Sequence, residues 1–121
     1  MMNLEPKATA VIINWIIANR RGAAFKGYSR NKIYSEILES VENNVFRYTF
    51  DDKGYTGVVC GTKDDNKKHI YIYDILTTTK GALRALLKSA SRDYPDYELF
   101  GKVRARARHF KSVTALTKKV L

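Results

Sequence analysis

The run HIYIYDILTTTKGALRALLKSASRDYP, residues 69–95, contains two rhythms in succession. His69 to Leu76 is rich in Ile and Tyr, residue types that suit a pleated strand. After Lys80 the period lengthens. Leu83, Leu86, Leu87, Ala90 and Tyr94 recur at helical spacing and predict a helix from 80 to about 93. Pro95 ends it, having no backbone N–H to continue the ladder. Thr77-Thr78-Thr79 lies at the junction, where a threonine can cap the free N–H groups of the first turn.

Upstream, the same period-two pattern occurs twice more. Phe46, Tyr48 and Phe50 alternate with Arg47, Thr49 and Asp51, and residues 55–62 (YTGVVCGT) form a second apolar run. Asp51-Asp52-Lys53-Gly54 reads as a turn, with Gly54 able to take a positive φ. Lys63 to Lys68 is a charged hairpin loop. These three strands predict an antiparallel meander.

Two helices precede it. The first spans residues 6 to about 20, with Pro6 suited to its first turn and Gly22 to its stop. Val11, Ile12, Trp15 and Ile16 form its apolar face, widened by Ile13 and Ile17. The second runs from a Ser29 cap to about Asn43, with Ile33, Ile37, Leu38 and Val41 on one face and Lys32, Glu36 and Glu39 turned away. Downstream, a fourth strand is predicted from Tyr97 to about Ala107 and a short helix from Ser112 to Leu121. The expected architecture is one α+β domain over residues 1–121, ordered α-α-β-β-β-α-β-α.

The chain has 121 residues and a net charge of +10. Such an excess favours polyanionic partners: nucleic acid, an anionic cofactor or an acidic protein. Cys60 is the only cysteine. It excludes an internal disulfide and a Cys-rich zinc site, fits a reducing, cytoplasmic compartment, and reads as a packed thiol. His69 and His109 have no clustered ligand partners, so no metal site is expected. The apolar run Ala8–Ala18 lacks a basic flank before it and is too short to span a bilayer, so no membrane association is expected.

The order of elements, together with Gly81-Ala82-Leu83-Arg84-Ala85-Leu86-Leu87, resembles the GNAT (N-acetyltransferase-type) fold. That family's helix-opening motif runs Gln/Arg-x-x-Gly-x-Gly/Ala, followed by a Leu-rich turn. Gly81 matches its first glycine, while Thr78 and Leu83 stand at its other two signature positions. The resemblance implies acetyl-CoA as cofactor. Its pyrophosphate would lie at the helix N-terminus and its pantetheine arm between splayed strands. Ile75, Thr77, Thr78, Thr79, Lys80, Gly81, Ala82 and Leu83 would form the cofactor site. Backbone N–H groups at a helix start, free of bulky side chains, suit phosphate. The resemblance further implies transfer of acetyl to an amine, with a strand carboxylate, Asp74 or Glu98, as candidate base.

A different partner is suggested by Lys102-Val103-Arg104-Ala105-Arg106-Ala107-Arg108. In an extended strand Lys102, Arg104, Arg106 and Arg108 share one face at about 6–7 Å spacing. Arginine also binds phosphate bidentately. His69, Tyr71 and Tyr73, on one strand face, could add stacking surfaces. This pattern fits a non-catalytic nucleic-acid-binding protein, of the sort a virus or mobile element uses as an accessory. In that setting the protein would be associated with a virion, or would be a protein partner in a larger assembly.

Overall fold

The computed structural model describes residues 5–102 and 110–112. The described elements are α1 (Pro6–Asn19), α2 (Arg30–Glu42), β1 (Arg47–Asp51), β2 (Gly54–Asp64), β3 (His69–Thr77), α3 (Lys80–Asp93), β4 (Glu98–Lys102) and β5 (Phe110–Ser112). The strands form one mixed sheet in the order β1-β2-β3-β4-β5. The first three make the expected antiparallel meander. After the α3 crossover, β4 lies parallel to β3, and β5 returns antiparallel to β4.

Each face of the sheet has its own apolar cluster. On one, Ile12 and Ile16 of α1 and Ile33 and Ile37 of α2 meet Phe46, Val58, Cys60 and Leu76. On the other, Leu86 and Leu87 of α3 meet Val59, Ile70, Ile72 and Leu99. Each buried aliphatic side chain stabilises the fold by roughly 1.5–3 kcal/mol. Gly57 lets α3 come close, since a Cβ there would stand 3.1 Å from both Ala82 and Leu86.

Local chemistry sets the element ends. Ser29 accepts the Lys32 N–H and caps α2. Gly54 has φ 130°, as the β1–β2 turn requires. Arg47 is buried, donates to Ser89 of α3 and to the Asn44 and Phe46 carbonyls, and pairs with Asp93. It fastens the end of α3 to β1.

Several expectations are corrected. Ser112 belongs to β5 rather than opening a final helix, and residues 113–121 lie outside the described residues. A fifth strand therefore enters the order. The predicted fourth strand begins at Glu98, and its expected extent beyond Lys102 lies outside the described residues. Val11, Leu38, Leu83 and Phe50 are exposed, Phe50 by 69%. The period assigned them to a core face, but each sits at the margin of its stripe or at a strand end. Glu36, expected to face away, is buried.

The largest correction concerns β3. Cys60 pairs with Asp74 and Gly61 with Ile72, which leaves Tyr73 as an extra residue. This β-bulge reverses the alternation. Ile70 and Ile72 face α3, whereas Asp74 and Leu76 turn to the α1/α2 side. Asp74 is inward-facing, on the face opposite Ile70 and Ile72, although the period-two spacing 70, 72, 74 and 76 predicts one shared face.

Candidate functional site

The proposed cofactor residues follow the end of β3 into α3. Ile75 packs beside the α3-side cluster, and Thr77 is half-buried with its carbonyl 3.4 Å from the Arg21 guanidinium. Thr78 is held to β2: its N–H and its hydroxyl both reach the Thr56 carbonyl, at 2.8 and 3.3 Å. Thr79 is the N-cap of α3, yet no side chain caps the helix. Lys80 and Gly81 are exposed, and the space where a Gly81 Cβ would stand is open to 4 Å. Ala82 is buried against Gly57. Leu83 is 44% exposed, so it stands at the surface and not in the core.

The first turn of α3 thus presents backbone N–H groups without a side-chain cap, a positive Lys80 and an unobstructed glycine. It follows directly on a strand edge. The parallel ladder joins His69–Ile72 to Glu98–Gly101, and β3 then runs on to Thr77. On that side, Asp74–Thr77 have no strand partner among the described residues.

The two candidate bases are far apart. Glu98 is exposed and stands opposite His69, five residues before Asp74, or about 16 Å along the strand. Asp74 is only 4% exposed. Its Oδ1 accepts the Phe25 N–H at 2.8 Å. Its Oδ2 is buried with no hydrogen-bond partner. The Tyr28 hydroxyl, in the α1–α2 connection, interacts with this carboxylate. Burial, and then the charges of Asp74 and Glu36, push the Tyr28 hydroxyl up to about 12.

A cleft of ≈ 230 Å³ opens beside the Tyr73 bulge, lined by Tyr28, Lys32, Ser35, Glu36, Glu39 and Tyr73. Burial, with Glu39 and Glu36 next in weight, also raises the Tyr73 hydroxyl. Sequence reasoning missed Glu36 and Tyr28 here. The available signal was the spacing 33, 36, 37, 40, a helical stripe whose four residues are the buried ones of α2.

The basic row divides at the boundary of the described residues. Lys102 closes β4 opposite Phe110, and Arg104, Arg106 and Arg108 lie outside the described residues. Beside Lys102, the rings of His69, Tyr71 and Phe100 form a continuous array. His69 and Phe100 are 4.6 Å apart, and Tyr71 stacks on Phe100 at 5.4 Å. Tyr73, expected to join them, lines the cleft instead. Among the described residues, no group of three His, Cys, Asp or Glu side chains could hold a metal ion. No helix among them is long and apolar enough to cross a membrane.

Comparison with protein-family models, curated proteins and solved structures gives no match.

Proposed function

We propose that this chain is a GNAT-like acyl-CoA-binding domain that transfers acetyl to an amine. The observation that carries the reading is the β3–α3 junction. A strand edge without a partner among the described residues leads, within two residues, into an uncapped helix start with open space over Gly81. An extended amide-bearing chain can pair with such an edge, and phosphate suits such a helix start.

The residues fit that cofactor. The backbone of Asp74–Thr77 would hold the pantetheine amides, and the N–H groups of Lys80 and Gly81 the pyrophosphate. Lys80 would add charge. Leu83, at the surface, would flank the site without filling it. When bound, the thioester supplies an activated acetyl group. Of the two candidate bases, Asp74 lies next to the bulge, whereas Glu98 stands at the far end of the ladder. Asp74 also holds Phe25, so it positions the α1–α2 connection as well.

Calorimetric titration with acetyl-CoA tests the reading, with Gly81→Glu as control. The expected result is micromolar binding to the native chain and none to the variant, whose carboxylate would oppose phosphate. Absence of binding to the native chain would remove the cofactor from the account.

A second reading, docking of single-stranded nucleic acid, is supported by the ring array beside Lys102 and the net charge of +10. It expects Tyr71→Ala to weaken binding of a fluorescent oligonucleotide, and Arg104→Ala with Arg106→Ala to weaken it and flatten its salt dependence. Unchanged affinity in both would exclude this surface.

A further inference from the structure

We propose that two copies of this chain associate through β1, edge to edge and antiparallel about Thr49, so that their sheets join into one. Three features argue for it together: a free edge, a self-complementary strand and an aromatic row that ends at the surface.

β1 is the outermost strand, and its outer side has no strand partner among the described residues. Such an edge offers unpaired N–H and C=O groups to another strand. Lysine and proline, which commonly guard edges, are absent from Arg47–Asp51. Arg47 does not guard it either, since its guanidinium is turned in to Ser89 and Asp93 of α3.

The strand reads Arg-Tyr-Thr-Phe-Asp. Turned antiparallel on itself about Thr49, it sets Tyr48 opposite Phe50 of the second copy, Thr49 opposite Thr49, and Arg47 opposite Asp51. Every residue of the strand is then paired, ring meets ring, and unlike charges meet at both ends. Aromatic, Thr–Thr and opposite-charge pairs all favour strand pairing. The neighbouring registers are worse. Centring on Phe50 sets Arg47 opposite Lys53 and Tyr48 opposite Asp52, and centring on Tyr48 sets Asp51 opposite Val45. A slip of one residue would turn the two aromatic rows to opposite faces.

The exposed surface of β1 fits the same partner. Phe46, Tyr48 and Phe50 form a row on the α1/α2 side, with neighbouring ring centres 6.2 and 6.1 Å apart. Phe46 is buried, whereas Phe50 is the most exposed large apolar side chain among the described residues. Tyr55 adds a ring 5.6 Å from Tyr48, and a depression of ≈ 340 Å³ opens among Tyr48, Phe50, Gly54 and Tyr55. In the two-fold pair each copy's Phe50 lies against the other's Tyr48, beside this depression.

The pairing uses up both β1 edges, so assembly stops at two. The charge of +10 on each copy opposes association at long range. Salt screens that repulsion more than it weakens short hydrogen bonds and ring contacts, so the dimer tightens with ionic strength. None of this rests on the acyl-CoA reading, which concerns the β3–α3 junction.

Sedimentation equilibrium of the full chain, from about 5 μM to about 1 mM, tests the inference. The expected result is a reversible monomer–dimer equilibrium whose association strengthens about threefold or more on adding salt. Phe50→Asp, at an exposed position, should weaken association about tenfold or more and leave the unfolding midpoint of dilute samples unchanged. Phe50→Leu should keep most of it. In a mixture of isotopically labelled and unlabelled chains, NMR should show contacts between the Tyr48 ring of one copy and the Phe50 ring of the other. Gly81→Glu should dimerise like the native chain, which separates this surface from the proposed cofactor cradle. A monomer at every concentration, growth beyond the dimer, or association weakened by salt would overturn the inference. So would a dimer that tolerates Phe50→Asp or lacks the Tyr48–Phe50 contact.

Discussion

The Oδ1 of Asp74, near the end of β3, accepts the backbone N–H of Phe25, 49 residues earlier, at 2.8 Å. Phe25 has φ 55°, a conformation uncommon for a residue with a side chain, and its ring is fully buried. Arg20 holds the same turn from the other side, donating to the carbonyls of Phe25 and Tyr28 at 3.2 and 2.7 Å. Charge-assisted bonds at both ends fix a connection that would otherwise be strained.

Asp74→Ala should therefore destabilise the protein by about 1.5–3 kcal/mol, the range for a hydrogen bond to a charged group. Asp74→Asn keeps an acceptor oxygen and should lose less. Urea unfolding midpoints measure both. Hydrogen exchange at the Phe25 amide should accelerate in the alanine variant ahead of exchange in β2. Equal stability of Asp74→Ala and the native chain would show that Asp74 does not secure this connection.

Gly61→Ala should be the most damaging of the small glycine substitutions. A Cβ at Gly61 would stand 2.3 Å from the Tyr71 carbonyl, which belongs to the backbone and cannot rotate aside. Strain of this kind costs roughly 1–3 kcal/mol or more. Gly81→Ala, with open space around it, should be within about 0.5 kcal/mol of the native chain, since it touches no buried feature. Thermal melts of the two variants provide the comparison.

Tyr28 should titrate late. Its hydroxyl is raised from 10.0 to about 12, chiefly by burial and then by Asp74 and Glu36. The folded state thus keeps a proton that the unfolded chain gives up near pH 10. The corresponding stability is full below that pH and is lost as the pH climbs towards 12. Ultraviolet titration of the tyrosinates should show a late component that disappears in Tyr28→Phe.

Cys60 should resist thiol reagents while the chain is folded. Burial first, then the charge of Glu36, raises the thiol well above its ordinary value, and the thiolate is the reactive form. Disulfide-exchange reagents at mildly alkaline pH should label it only as fast as the protein opens, and at once in concentrated guanidinium. Rapid labelling of the folded chain would contradict its burial.

Much of the fold was legible where a single periodicity governed a stretch. The change of rhythm after Leu76 located β3 and α3, Gly54 marked its turn, and Ser29 marked its cap. What escaped depended on relations between segments. No residue type announces the bulge at Tyr73, because a bulge is defined by its partner strand. Phe25 carries no sign of its left-handed conformation, which is held by Asp74 and Arg20 from a distance. Glu36 read as a solvated charge because its type outweighed its place in the buried stripe. Of the candidate site, Gly81 and the threonines were visible as a helix opening, whereas the cleft needed α2, Tyr28 and β3 brought together.

The extra residue in β3 makes that strand a splice between two out-of-phase halves. Its first half is keyed to α3 and its second to α1 and α2. Deleting Tyr73 would place Asp74 directly after Ile72, and ordinary alternation would keep Ile72 under α3 and Asp74 on the α1/α2 side, still facing Phe25. A deletion one residue to either side of the bulge, in a regular stretch, would instead turn half the strand over. The bulge is therefore the one place where this strand can lose a residue and keep both sets of partners.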